Sequence, residues 1–517
     1  MDAQELLKDV EDVEKTIEKR KDKIINWIKK PLNFPLVLVL ILAFAIRFYY
    51  FLMTKTQPLW WDEAVYGSLA KNLISHQWDA TATIIGETTI RPIFFPFLWS
   101  LLMRIGIGEI GSRFLLGFLL SILSVFLFYL IAKEIFNKKI GIIATFMFSF
   151  LWIHIFYTCR LLTDIPSLFF MFLSIYYFVK ATKFNLNFKY FSISLISLSI
   201  ATLIRYASGV IFLVYLIILG LILCKKISLL KNPKFYLSGI IGFFPILLFF
   251  LINLITKGNI FPAIFGTDFY FGGEKVAKPL AFYVLNFIPV YLKTIFLIFF
   301  LIGLLVILFE LVAGYNFIIK NTKLRNYLFL LLIFITFYSS FIFFIRFGED
   351  RYFLITSLPL FCFAAFGINY ISKFIEKYNK YIAILFVLII LFVGAYSQVK
   401  DADNLIKTKK QSYLQIRQGM EWLRDNSSKD AVFAGGGGIG PYTIFYAERM
   451  YFDAPTNYSE SYKISEADYL IVHGFTPQAG YINQYLEENQ DKWKPINIFF
   501  FDEEQKQPML IIYEKTH

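Results

Sequence analysis

From Leu32 to about Val399 the chain is paced by apolar blocks, each about 20 residues long and separated by short polar loops. Such a block has one stable solution. At 1.5 Å per residue a helix of that length crosses the hydrocarbon of a bilayer, and in lipid the backbone must satisfy its own hydrogen bonds. About eleven spans are expected, at 32–53, 112–132, 140–157, 165–181, 189–204, 208–224, 235–255, 289–312, 327–345, 353–371 and 381–397. Hydrophobic residues make up 57% of the chain against roughly 45–50% in soluble domains, which argues against a soluble enzyme. The expected fold class is a polytopic all-α membrane protein with a small C-terminal extracytoplasmic α/β domain.

Charge sets the expected topology. The net +13 divides into 0 over residues 1–31, +17 over 32–397 and −4 over 398–517. With the N-terminus in the cytoplasm, the inner loops 133–139, 180–188, 225–234, 313–326 and 372–380, with Lys189, hold 15 Lys and one Arg against Glu134 and Glu376. That is a positive-inside pattern, so the basic charge reports topology rather than nucleic-acid binding. The outer short loops carry no Lys. They hold Arg160 and Asp164, then Arg205, then Arg346, Glu349, Asp350 and Arg351. Two outer loops are long, 54–111 and 256–288, and loops of that length usually serve function.

Three domains are expected. Residues 1–31 form an amphipathic cytoplasmic helix with a stripe of Leu6, Val10, Val13, Ile17, Ile24 and Trp27, and no secretory leader. Residues 32–397 form the membrane domain. In 398–517, strands near 431–434, 468–472, 496–501 and 509–514 alternate with helices at 411–426, 441–449 and 480–491, which suggests a small outer α/β domain. Its Gly435–Gly438 run lacks the spacing of a nucleotide loop and is read as a turn. Sequons at Asn426 and Asn457 both fall in this domain. Cys159, Cys224 and Cys362 are read as packing residues, His154 as packed and His473 as a surface residue.

The sharpest local feature is Trp60-Trp61-Asp62-Glu63-Ala64-x-Tyr66, just past the first span. An Asp-Glu pair there can take a proton from a hydroxyl, bind a cation, or cap a helix. Asp164, Arg91, Arg160, Arg205 and Arg351 fall on the same face. Acids and arginines converging at a membrane surface suggest an anionic ligand beside an acid-base group, since the planar guanidinium suits phosphate. A ring of ion pairs tying loops together is the structural alternative.

The stretch Pro58–Leu73, PLWWDEAVYGSLAKNL, resembles the first outer loop of the polyprenyl- or dolichyl-phosphate-sugar-dependent glycosyltransferases of the GT-C fold, which include protein O-mannosyltransferases and aminoarabinose transferases. Arg91-Pro92, Tyr157–Pro166, Thr202–Tyr206 and Arg351-Tyr352 with Pro359 are similar to further elements of that family, in its order. The family's double proline is here Pro92-Ile93, with Pro96 beyond. Trp60–Asp62 is also similar to the WWDYG of oligosaccharyltransferases, but that motif belongs to their C-terminal domain.

The resemblance implies an inverting membrane glycosyltransferase that moves a sugar from a lipid phosphate to a hydroxyl of a protein, lipid or glycan. Asp62 would be the base, and Glu63 and Asp164 would position the acceptor or support it. Arg91, Arg205 and Arg351 would hold the donor phosphate, with support from Arg160, Tyr66, Glu349 and Asp350. No cofactor is required, although a divalent cation at Asp62, Glu63 and Asp164 stays open. The loop Phe265–Lys275 could close over the donor. The rival class is a transporter or lipid flippase; no internal repeat or mid-membrane polar break, the usual marks of that class, is visible.

Overall fold

The computed structural model describes residues 32–75, 91–183, 186–257, 283–340, 349–436, 438–475, 479–501 and 504–516. The striped helix of 1–31, the loop Phe265–Lys275 and Arg346 lie outside the described residues.

Each of the eleven apolar blocks is largely helical over its described residues. We number the helices α1 (Asn33–Thr54), α2 (Trp61–Ser75), α3 (Phe94–Arg104), α4 (Glu109–Ile135), α5 (Lys138–Ser149), α6 (Trp152–Thr158), α7 (Asp164–Thr182), α8 (Phe188–Ile204), α9 (Val210–Lys225), α10 (Pro233–Lys257), α11 (Ile288–Ala313), α12 (Thr322–Ser340), α13 (Ser357–Glu376), α14 (Lys380–Lys409) and α15 (Leu414–Asn426). Among the described residues eight helices are long and apolar enough to cross a membrane, or nine if the pair α5–α6, bent by 60°, is one span. The chain is a multi-pass membrane protein.

Two expected spans, α8 and α12, are not in that count. Helix α8 is 17 residues long and rich in serine, and it is packed inside the bundle. Ser174 of α7 donates to Ser194 O at 2.8 Å and meets the Tyr215 hydroxyl of α9 at 2.7 Å, while Ser199 donates to Gly242 O of α10 at 2.8 Å. Helix α12 carries Lys323 and Arg325 in its first turn, and the end of its expected span passes beyond the described residues. By contrast α10 turns nearly all of its apolar surface outward, as a lipid-facing helix does.

Local signals place the helix starts. Asn137, Asn187 and Asn379 cap α5, α8 and α14 through their side-chain oxygens. Helices α11 and α13 cross closely because Gly303 and Gly367 lack side chains. A Cβ on Gly367 would lie 2.1 Å from Phe299 O, and one on Gly303 only 1.9 Å from Phe363 O.

The lysine-rich loops meet at one end of the bundle. Lys183 pairs with Glu134 at 3.0 Å, Lys139 with Glu376 at 3.8 Å, and Lys323 with Glu310 at 2.6 Å; Arg325 donates to Thr182 O at 2.5 Å. Loops assigned to one side by alternation are therefore neighbours in space.

The last membrane helix, α14, runs on through the expected boundary near residue 398 to Lys409. Beyond it lies a five-stranded sheet of order β2-β1-β3-β5-β4, made of β1 (Val432–Gly435), β2 (Met450–Asp453), β3 (Tyr469–His473), β4 (Trp493–Phe500) and β5 (Pro508–Lys515). Strands β2, β1 and β3 are parallel, while β5 runs antiparallel to β3 and β4. One sheet face, with Phe433, Ile471, Leu510 and Ile512, shares an apolar cluster with α2, α3 and α15. The domain and the first outer loop thus share one core.

Candidate active site

Helix α2 begins at Trp61 because Glu63, three residues after Trp60, accepts from the Trp60 backbone N–H at 2.7 Å. This is the return bond of a capping box. The rest of the Glu63 carboxylate is also taken. Leu161 N–H donates to Oε1 at 2.6 Å, Arg113 to the same oxygen at 3.3 Å, and Arg160 to Oε2 at 3.1 Å. Glu63, Arg113 and Arg160 are fully buried or nearly so. Arg113 further binds Glu109, Cys159 O and Gln57 O, and Arg160 lies 3.8 Å over the Trp60 ring and reaches Pro58 O. The Asp62-Glu63 loop is thereby fastened to α4 and to the 159–161 turn.

Successive residues on a helix project about 100° apart, so Asp62 faces elsewhere. Its carboxylate sits between Arg91, at 2.9 Å, and Arg351, at 2.7 Å. Burial raises its pKa, but the two guanidiniums outweigh that and hold it below the ordinary carboxylate value. Arg351 reaches Glu349 at 2.5 Å and stands 3.9 Å from Asp164, which pairs with Arg205. Burial lowers the Arg205 pKa, and Asp164 more than restores it. Arg91 stacks on Trp61 and Tyr66, at 4.9 and 5.5 Å, and Arg205 on Tyr352 at 4.6 Å.

The sequence-expected residues thus divide. Asp62, Arg91, Arg351, Asp164 and Arg205 form one chain of alternating charge, with Glu349 at its edge and Tyr66 behind Arg91. Glu63 and Arg160 belong to the buried clamp. Asp350 offers its backbone carbonyl to the Tyr291 hydroxyl at 2.5 Å. Beside Asp164, Arg205 and Arg351 lies a cavity of about 20 Å³, room for about one water. Among the described residues no group of three or more acids, histidines or cysteines is arranged to hold a metal ion. Asp62, Glu63 and Asp164 each face arginines.

Arg113 is the participant the sequence reading missed. It lies just inside the block 112–132, where an isolated cation in an apolar run is the available signal. Arg47 is a second case: fully buried in α1, it donates to Ser121 Oγ at 2.9 Å and Ser149 O at 2.7 Å and meets His154 Nδ1 at 2.6 Å. His154 is packed, as expected. His473 is buried rather than on the surface, because its Nε2 meets Gly436 O at 2.6 Å.

Residues 90–252 match the family described as dolichyl-phosphate-mannose-protein mannosyltransferase. No curated protein sequence matches the chain. Among solved structures it is similar to ArnT from Cupriavidus metallidurans bound to undecaprenyl phosphate, with 10% identity, TM-score 0.62, and coverage of 92% of this chain and 97% of that one. It is also similar to the archaeal oligosaccharyltransferase AglB from Archaeoglobus fulgidus in complex with an inhibitory peptide and a dolichol-phosphate, with 15% identity, TM-score 0.60, and coverage of 86% and 70%. The chain has the GT-C fold, and its resemblance is to the glycosyltransferases of that fold that use polyprenyl- or dolichyl-phosphate sugars.

Proposed function

We propose that this protein is an inverting membrane glycosyltransferase, moving a sugar from a polyprenyl or dolichyl phosphate to an acceptor hydroxyl. The observation that carries this reading is Asp62 held between Arg91 and Arg351, with Arg351 leading on to Asp164 and Arg205. It supplies a base and a set of phosphate-binding forks in one place. The positive-inside lysines support a reading in which this centre and the C-terminal domain face outward and the N-terminus is cytoplasmic.

In the step, the acceptor oxygen attacks the anomeric carbon and the carbon–oxygen bond to phosphate breaks on the opposite face. The hydroxyl proton passes to Asp62, and the electron pair leaves on the phosphate, where arginines stabilise it. These charges are paired with each other. An arriving donor phosphate competes with Asp62 for Arg91 and Arg351, and a carboxylate relieved of two cations is a stronger base. Asp164 keeps Arg205 oriented. Glu63 has no free oxygen for acceptor or proton; it fixes the loop that carries Asp62.

The test is turnover of labelled polyprenyl-phosphate sugars by purified protein and by Asp62→Asn. A base is worth about 10²- to 10⁴-fold in rate, so the variant should lose at least the lower factor while still binding donor. A variant that binds donor and turns it over at the wild-type rate would remove Asp62 from the chemistry. Lipid translocation without sugar transfer would favour the transporter class.

A further inference from the structure

The C-terminal domain reaches the Asp62 centre through residues that no step above uses. The turn after β1 places Gly438 against Trp61, whose ring carries Arg91. Next to that turn is Tyr442, 2% exposed, whose hydroxyl has no hydrogen-bond partner among the described residues. Burial raises its pKa, and the residue before it, Pro441, is tied to the helix that carries Asp62 by its carbonyl, which accepts from Ser68 at 2.8 Å. A buried hydroxyl left unpaired is costly and calls for an explanation.

Around it stand further aromatic rings. Tyr413 lies 5.8 Å from Tyr442 and 5.5 Å from Phe475, centroid to centroid, and both Tyr413 and Phe475 are half-buried rather than covered. Tyr413 also has φ of 66°, a left-handed conformation unfavourable for a tyrosine. Strain of this kind persists where the surroundings hold a side chain in a required place, and it concentrates at binding sites.

We propose that Tyr413, Tyr442 and Phe475 form the acceptor subsite of the Asp62 centre and that its occupant is a saccharide. A pyranose presents an apolar C–H face, which suits an uncharged ring, and a rim of hydroxyls, one of which would meet the buried Tyr442 hydroxyl once the neighbouring half-buried Tyr413 ring turns aside. The three side chains bear no charge with which to select a carboxylate or phosphate. This deepens the glycosyl-transfer reading and rests on it.

The experiment uses the full chain in detergent. Saturation-transfer NMR with methyl mannoside and mannobiose reads acceptor binding without any donor. A labelled polyprenyl-phosphate hexose is then offered with the same saccharides, a serine/threonine peptide, or phosphatidylglycerol vesicles. We expect saccharide binding and label transferred to saccharide. Tyr442→Phe should raise the saccharide KM about tenfold, the factor carried by one ordinary hydrogen bond. Its unfolding temperature should be unchanged or higher, because the lost hydroxyl had no partner. Tyr413→Ala should weaken saccharide binding in the NMR experiment. Label appearing only on peptide or lipid, or a Tyr442→Phe variant with the wild-type saccharide KM, overturns the inference. Donor turnover without saccharide binding removes this subsite alone. Saccharide binding without donor turnover leaves the subsite standing and removes the transfer reading.

Discussion

Asp62 and Glu63 are adjacent, equally charged, and predicted to fail in opposite ways when neutralised. Consider Glu63→Gln. Its carboxylate accepts from Trp60 N–H and Arg160 on one oxygen and from Leu161 N–H and Arg113 on the other. An amide keeps one acceptor and turns an NH₂ toward the other pair. The less damaging orientation keeps the carbonyl on Arg160, for which Glu63 is the carboxylate partner, because Arg113 retains Glu109 at 2.8 Å. Leu161 N–H then loses its acceptor, which costs about 1–3 kcal/mol. Two buried guanidiniums are left with one carboxylate, and breaking a buried ion pair costs about 3–5 kcal/mol. The total is a large part of the roughly 5–15 kcal/mol that keeps an ordinary domain folded. Glu63→Gln should therefore lose monodisperse protein at temperatures where wild type survives, read by heating in detergent and size-exclusion chromatography. Asp62→Asn should lose far less heat stability, since Asp62 is partly open to solvent and Arg351 beside it keeps Glu349 and Asp164 as acidic neighbours. If Glu63→Gln is as heat-stable as wild type, the clamp is not what holds the loop.

Further outcomes follow from the geometry. With Asp62 ionised as the base and its pKa held below the ordinary carboxylate value, kcat/KM should stay flat down to about pH 4 and fall only below it. The stability that Asp62 contributes is likewise present above its unfolded pKa and lost as pH falls through the lower folded one; in Arg91→Gln burial reasserts itself and the acid limb of a pH–rate profile must move up, not down. Gly438→Ala meets φ of +80° and a contact of 2.8 Å with Trp61 Nε1; it should cost about 1–2 kcal/mol of stability and lower donor turnover by displacing the ring under Arg91. Gly367→Ala should force α11 and α13 apart and cost about 1–3 kcal/mol, seen as a lower unfolding temperature.

The membrane helices were legible because a run of apolar residues about 20 long has so few alternatives, and the α/β character of the C-terminal segment because its strands are apolar and short. Strand β2 was missed: Met450–Asp453 is four residues at the edge of the sheet, with no alternation to mark it. Convergence of Asp62, Arg91, Asp164, Arg205 and Arg351 followed from loop parity, which assigns a face without needing contacts. What parity cannot do is orient side chains on that face. Asp62 and Glu63 therefore looked like one acidic pair until the helix turned them apart. Nor could it recruit Arg113, which sits inside an apolar block, or Tyr442, which lies more than 370 positions from Asp62 and arrives only through the packing of the sheet on α2.

That packing has a bearing on how the molecule can be taken apart. Ser68 donates to Pro441 O at 2.8 Å, Leu59 N–H to the Tyr446 hydroxyl at 3.0 Å, and Lys71 to Phe445 O at 2.6 Å, around an apolar cluster to which both halves contribute. A chain cut after α14 would open that cluster to water beside Asp62 itself. Chimeras that exchange C-terminal domains between relatives should keep the donor of origin only when residues 58–73 travel with the domain, so the natural unit of recombination here joins two stretches of sequence that lie nearly four hundred residues apart.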